Sequence, residues 1–115
     1  MASRGRGARA KGANFERKLA AKLKEDLKIS AQRGLAQTRN GGVEVADVEM
    51  AHFHIEAKRH KVCQIKSAMK QAIADSENKS KMPVAITKDD RKPILVTMLY
   101  DDWVKLARAY IKKKK

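Results

Sequence analysis

Two acidic residues and a lysine have a spacing that could hold a metal ion. Glu56 and Lys58 lie two residues apart in a stretch that alternates polar and apolar residues, which predicts a β-strand with both side chains on one face. Asp47 lies in the preceding predicted strand, so its carboxylate can meet that of Glu56 if the register allows it. Two carboxylates beside an ammonium group could hold Mg²⁺ and support phosphodiester hydrolysis. The alternative is a surface salt-bridge pattern, which also produces such clusters.

Five further polar residues could extend this site. Glu16 borders the apolar stripe of the first predicted helix, so its carboxylate could point to the edge of the sheet. Arg33 and Arg39 bracket a glycine-rich stretch and could bind phosphate, whereas Gln71 lies among apolar residues of the second predicted helix. His54 shares the strand face predicted for the glutamate and the lysine. Each also has an ordinary explanation as a solvated charge or a polar surface side chain.

A small sheet with helices packed against it has to position these candidates. Helical spacing of apolar residues covers 14–28, 62–76 and a last segment that Asp101 or Asp102 caps and that ends at Ile111. Strands are predicted over 28–33, 43–49, 52–58, 82–87 and 93–99, with turn-forming residues between most of them. The order αβββαββα predicts a small single α/β domain with a central mixed five-stranded sheet flanked by helices.

The same patterns predict which side chains face the core. In the third strand Phe53, Ile55 and Ala57 share one face, and His54, Glu56 and Lys58 share the other. The second helix is predicted to bury Val62, Ile65, Met69, Ala72 and Ile73, with Cys63 also in the core. The last helix is predicted to turn Trp103, Ala107 and Tyr110 inward.

Positive charge is concentrated at the two ends of the chain. The 115 residues carry 27 Lys and Arg against 13 Asp and Glu, a formal charge of +14. The first twelve residues contain Arg4, Arg6, Arg9 and Lys11 among glycines and no acid, and residues 112–115 are four lysines. The division predicted from this is a basic, disordered arm over 1–12, a folded domain over 13–111 and a lysine tail. Such arms commonly bind nucleic acid, although a solubility tail is the alternative.

Several classes of protein are disfavoured by composition. No apolar run is long enough to span a bilayer, so no membrane association is expected. The single cysteine cannot form an internal disulfide, which fits a reducing cytoplasm. A glycine-rich dinucleotide fingerprint and a Walker loop are both absent, so no small organic cofactor is expected.

The order of these motifs resembles that of a known nuclease family. Lys11-Gly12, Phe15-Glu16-Arg17, Arg33 before a glycine-rich loop, Asp47 and Ile55-Glu56-Ala57-Lys58 follow one another along the chain. This order is similar to that of archaeal and phage Holliday-junction resolvases in the PD-(D/E)xK nuclease superfamily, which have a restriction-endonuclease-like fold. One departure is Ala46, which precedes the aspartate where the family pattern has proline.

The resemblance implies a site, a substrate and a partner. It assigns Asp47, Glu56 and Glu16 to a divalent metal, Mg²⁺ or alternatively Mn²⁺, and gives Lys58 the role of assisting the attacking water. It also gives Arg33 a contact to the DNA backbone, and Thr38 is the nearest candidate for the family's loop hydroxyl. From their charge or position alone, further DNA contacts are predicted for Arg39, Lys11, Arg4, Arg6 and Arg9, and a place near the site for Gln71 and His54. The implied function is paired nicking of four-way DNA junctions by a homodimer, in recombination or repair, in the cytoplasm of a bacterial, archaeal or phage-infected cell. The alternatives are another nuclease of this superfamily, of nicking or repair type, and a basic DNA- or RNA-binding module without activity.

Overall fold

Within the described residues, three helices and five strands follow one another in the order predicted from the sequence. The computed structural model describes residues 2–34 and 46–114, with side chains from residue 10 onward. The elements are α1 (Ala2–Leu27), β1 (Ala31–Arg33), β2 (Val48–Met50), β3 (Phe53–His60), α2 (Ile65–Ser76), β4 (Met82–Asp89), β5 (Ile94–Met98) and α3 (Tyr100–Lys114). The predicted order αβββαββα is therefore confirmed. The second strand is shorter than predicted, and positions 43–45 of that prediction lie outside the described residues.

The five strands form one mixed sheet in sequence order, β1-β2-β3-β4-β5. Neighbouring strands are antiparallel except for β3 and β4, which run parallel because α2 crosses over between them. The sheet is thus mixed, as predicted, and the architecture is that of a small α/β restriction-endonuclease-like domain. Its central strand, β3, carries the glutamate and the lysine.

The alternation of β3 separates a core face from a polar face. Ile55 and Ala57 are buried in the main core cluster together with Phe15 and Leu19 of α1. These helix residues recur at a spacing of four and so present one apolar stripe to the sheet. The intervening residues of β3 face the opposite side of the sheet, which confirms the face assignment made from the sequence.

Helix α2 covers the polar face of the sheet with small side chains. Ala68 and Met69 pack against Ala85 of β4, and Ala72 is also fully buried. The prediction for this helix is wrong at two positions, since Val62 lies before the helix and is 66% exposed and Ile73 is 40% exposed. Only Ala68, Met69, Ala72 and Ser76 of this helix are buried. The buried side of the helix is therefore narrower than the sequence predicted.

The first helix starts earlier than the sequence indicated. It begins at Ala2 and continues through the segment over 1–12 for which disorder was predicted, whereas the helical pattern suggested a start at Asn14. Glycine lowers helix propensity, and three glycines in that segment favoured the disordered interpretation. The division of the chain into an arm, a nuclease domain and a tail stays a prediction.

The last helix differs most from expectation. It runs from Tyr100 to Lys114 and contains no buried residue; Trp103 is 54% exposed and Tyr110 is 64% exposed. The inward orientation predicted for these two aromatic residues is therefore wrong. Two aspartates in its first turn and three lysines in its last turn complement the helix dipole. Among the described helices, none combines the length and apolar character needed to cross a membrane.

Candidate active site

Asp47 is held in place by backbone hydrogen bonds on both sides. Its N–H donates to the Ile55 carbonyl at 2.9 Å, and its own carbonyl accepts from the Gly34 N–H at 2.9 Å. The carboxylate accepts a further bond, also of 2.9 Å, from the Ala57 N–H of β3. The aspartate is therefore fixed at the start of β2, with its side chain beside the strand that carries Glu56.

Glu56 is buried on the polar face of β3 next to Lys58. The Glu56 side chain is only 3% exposed, and its Oε2 lies 3.3 Å from the Lys58 Nζ. The lysine side chain is 32% exposed and so reaches from the buried carboxylate towards solvent. The spacing of two residues along a strand accounts for this pairing, as the sequence predicted.

The two carboxyl groups perturb one another in the absence of a cation. Burial and the charge of Asp47 raise the pKa of Glu56 to about 7, although Lys58 acts in the opposite direction. Burial also raises the pKa of Asp47, and this rise is opposed by the hydrogen bond from Ala57 and reinforced by the nearby carboxylate of Glu16. Asp47 thus lies near two other acids, of which Glu56 is paired with Lys58 and Glu16 with Arg33, and a cation would offset the repulsion that remains. Such an oxygen-rich set fits a hard divalent ion.

Glu16 reaches the site from α1 and is paired with a basic residue. Its Oε1 accepts a hydrogen bond of 2.7 Å from the Nε of Arg33 on β1, and both side chains are largely shielded from solvent. Arg33, a predicted DNA contact, thus lies beside the candidate site and forms an ion pair with Glu16. This ion pair holds the first helix and the edge strand at a fixed position relative to Asp47.

A polar cleft opens next to the lysine. It lies between the end of β3 and the start of α2 and is lined by residues that include Lys58, Lys61, Gln64, Ser67 and Gln71. The sequence predicted that Gln71 could reach the site, and the structure places this exposed side chain in the same cleft as the lysine. The lining offers cationic groups and hydrogen-bond donors of the kind that contact a phosphate backbone.

One acid close to the candidate site was not predicted from the sequence. Asp75 of α2 and His54 and Glu56 of β3 each place a potential ligand atom within 4.8 Å of the other two. His54 was predicted near the site, and it is buried on the same face as Glu56. The available signal for Asp75 was its place three residues after Ala72, on the buried side of the helix.

The predicted DNA contacts are only partly described. Lys11 forms an exposed ion pair of 3.1 Å with Asp90, so it lies on the surface near the β4–β5 turn. Arg59 contacts the same aspartate. Thr38 and Arg39, together with the side chains of Arg4, Arg6 and Arg9, lie outside the described residues.

Comparison with known proteins gives one match. A family model described as "phage putative PDDEXK endonuclease" matches residues 7–115, which is nearly the whole chain. No curated protein and no solved structure matches it. The matched range includes Glu16, Asp47, Glu56 and Lys58, the four residues whose positions are described above.

Proposed function

The chain belongs to the phage PDDEXK endonuclease family, and from this premise we propose that it is a structure-selective DNA endonuclease that resolves four-way junctions. The observation that carries the proposal is the meeting of Asp47 and Glu56 beside Lys58, at the mouth of a basic, polar cleft. A DNA-binding module without activity has no use for acids at the place where phosphate must approach.

Asp47 and Glu56, with Glu16 beside them, are the proposed metal-binding residues. Their carboxylate oxygens match the preference of Mg²⁺, and Mn²⁺ accepts the same ligands. When bound, the ion supplies a Lewis acid for the phosphodiester and lowers the pKa of water. The elevated pKa of Glu56 supports this assignment, because burial and the charge of Asp47 both disfavour its charged form and a bound cation would offset them.

Lys58 and Arg33 are proposed to act on the substrate. The Nζ of Lys58 lies at the boundary between the buried carboxylate and the cleft, where it can orient the attacking water and stabilise negative charge on the phosphate. Arg33 is held by Glu16, and its fixed guanidinium can contact the backbone on the other side of the site.

A homodimer is proposed because a four-way junction requires two matched incisions. The support is the number of exposed apolar residues on β5 and α3, namely Val96, Leu99, Tyr100, Trp103, Tyr110 and Ile111. β5 is also an edge strand of the sheet, with one side free to pair among the described elements. Exposed apolar side chains in this number favour an interaction site here.

Charge along α3 favours a second copy of the chain as the occupant of this surface. Aspartates occupy its first turn and lysines its last turn. An antiparallel pair related by a two-fold axis would bring Asp101 and Asp102 of one copy opposite Lys112 and Lys113 of the other. Such an isologous arrangement is self-complementary in both shape and charge.

Cleavage of branched DNA tests the proposed function directly. Labelled four-way junctions, flaps, splayed arms and linear duplexes are incubated with the protein, with and without Mg²⁺. We expect symmetric paired nicks in the four-way junction and none without the ion. Preferential cutting of a flap or linear duplex would assign the chain to another nuclease type of the superfamily, and the absence of metal-dependent cutting on every substrate would contradict the proposal.

The dimer surface is tested by Trp103→Glu. Because Trp103 is half exposed, we expect the change to spare the fold but to place a charge in the interface, so that the mass in solution falls from dimer to monomer. Light scattering coupled to size-exclusion chromatography measures this. Val62→Glu is the matched control, since that apolar residue is 66% exposed and lines the cleft beside Lys58 instead of belonging to β5 or α3. A wild-type protein that is monomeric at the concentration of the cleavage assay would overturn the dimer.

A further inference from the structure

His54 presents a buried nitrogen without a hydrogen-bond partner. Its side chain is 2% exposed, and within the ranges that the structure describes its Nε2 has no partner. A buried polar atom left unsatisfied costs about 1–3 kcal/mol. Such an atom in a native fold calls for an explanation, and an ion that the site is built to hold is one.

Two carboxylates lie next to this imidazole. Glu56 is its neighbour on the same face of β3, and Asp75 approaches from the last turn of α2, which covers that face. The three potential ligand atoms lie within 4.8 Å of one another. Ligands of a tetrahedral ion with bonds of about 2.1 Å are roughly 3.4 Å apart, so a shift of less than about 1 Å in each ligand atom would bring all three into coordination.

The three groups supply donors that a divalent metal binds. Neutral imidazole is the commonest metal ligand in proteins, and each carboxylate offers an oxygen. A cation between Glu56 and Asp75 would also offset the repulsion of their charges.

We infer that His54, Glu56 and Asp75 form a second divalent-cation site, suited to a transition metal such as Zn²⁺, that shares Glu56 with the proposed catalytic centre. One nitrogen and two oxygen ligands suit Zn²⁺ better than Mg²⁺, which prefers oxygen alone. Apart from the shared Glu56 the two sites use different residues, because the proposed catalytic centre adds Asp47 and Lys58 and this one adds His54 and Asp75. This inference goes beyond the proposed cleavage, since ion binding requires no substrate.

An ion at this site would tie α2 to the sheet. The helix supplies Asp75 and the central strand supplies the other two ligands, so binding fixes the wall of the cleft that Gln71 and Lys58 line. Because the ligands converge only in the folded chain, the ion would also raise the melting temperature.

Zinc stoichiometry of the full chain tests the inference. Equilibrium dialysis against Zn²⁺ should show that Asp75→Asn and His54→Gln each bind one ion fewer than the wild type. Two variants are used because a buried histidine replacement can disturb the fold, and circular dichroism monitors this. The matched controls are Glu77→Gln, an acid just after the same helix, and His60→Gln, an exposed histidine of the same strand; both should keep the wild-type stoichiometry.

The result separates this site from the catalytic proposal. Asp47→Asn removes a proposed catalytic ligand only, so the further change Asp75→Asn in that background should again remove one ion. The ring-nitrogen resonances of His54 should shift on addition of Zn²⁺ to the wild type. Full zinc stoichiometry in either Asp75→Asn or His54→Gln overturns the second site, whatever the cleavage assay shows.

Discussion

Replacing Asp47 by Asn is expected to lower metal-dependent DNA cleavage by at least about 100- to 1,000-fold, the scale on which one preorganised electrostatic group contributes to catalysis. The amide keeps an oxygen that can accept the hydrogen bond from the Ala57 N–H, so the local geometry can persist. What the change removes is a negative charge at the point where a cation would be held. The measurement is the single-turnover cleavage rate of a labelled four-way junction at saturating Mg²⁺.

A binding measurement and a control variant make the prediction for Asp47→Asn specific. Binding of Asp47→Asn to the same junction should be unchanged or tighter, since removal of a negative charge lowers the repulsion of phosphate. Asp26→Asn is the control, because this exposed acid of α1 forms only a surface pair with Lys22 and should leave the rate unchanged. A normal rate in Asp47→Asn, with the circular dichroism spectrum of the wild type, would refute the site assignment.

Much of the site could be predicted from short-range rules. The side chains of Glu56 and Lys58 share a face because residues two apart on a strand always do. The turn between β2 and β3 is short, so only a few pairing registers with β3 are possible for the segment that carries Asp47. In the structure the Asp47 N–H donates to the carbonyl of Ile55. Glu16 could be placed at the edge of the core because an apolar stripe at helical spacing defines the buried side of α1.

The remaining features depend on contacts between distant parts of the chain. Asp75 lies near the end of a helix, and only the packing of α2 over the sheet brings it to His54. The amphipathic pattern of α3 predicts an apolar face but does not say whether its partner is the same chain or another one. Trp103 and Tyr110 were therefore assigned to the core, although in the single chain they face solvent.

A second large effect is expected on stability in the absence of metal, where Glu56→Gln should stabilise the protein at high pH. In the folded state the pKa of Glu56 is raised to about 7, chiefly by burial, against an ordinary value of 4.5. Between these values the folded chain binds more protons than the unfolded chain, so the wild type loses stability as the pH rises through this window. Glutamine carries no proton, so the variant avoids this loss.

The difference should be absent at pH 4 and fully developed at pH 8. Each pKa unit is worth about 1.4 kcal/mol, so the rise in the pKa of Glu56 from 4.5 to about 7 corresponds to a gain of about 3 kcal/mol in the free energy of unfolding of Glu56→Gln. The effect of Lys58 is already contained in that pKa. Urea unfolding of the metal-free proteins at several pH values measures this. Glu25→Gln is the control, because its side chain is 80% exposed and its removal should have little effect at either pH.

Added Mg²⁺ should reverse the order of the two proteins. An ion that binds only the folded wild type, at about 1,000 times its dissociation constant, stabilises it by about 4.1 kcal/mol. This exceeds the gain expected for Glu56→Gln, and the variant itself should gain little because it lacks this ligand. The Glu56 carboxylate would then destabilise the metal-free protein and stabilise the Mg²⁺-bound protein, as expected of a metal ligand. A variant that is less stable than the wild type at pH 8 without metal would mean instead that Glu56 serves the fold as the partner of Lys58.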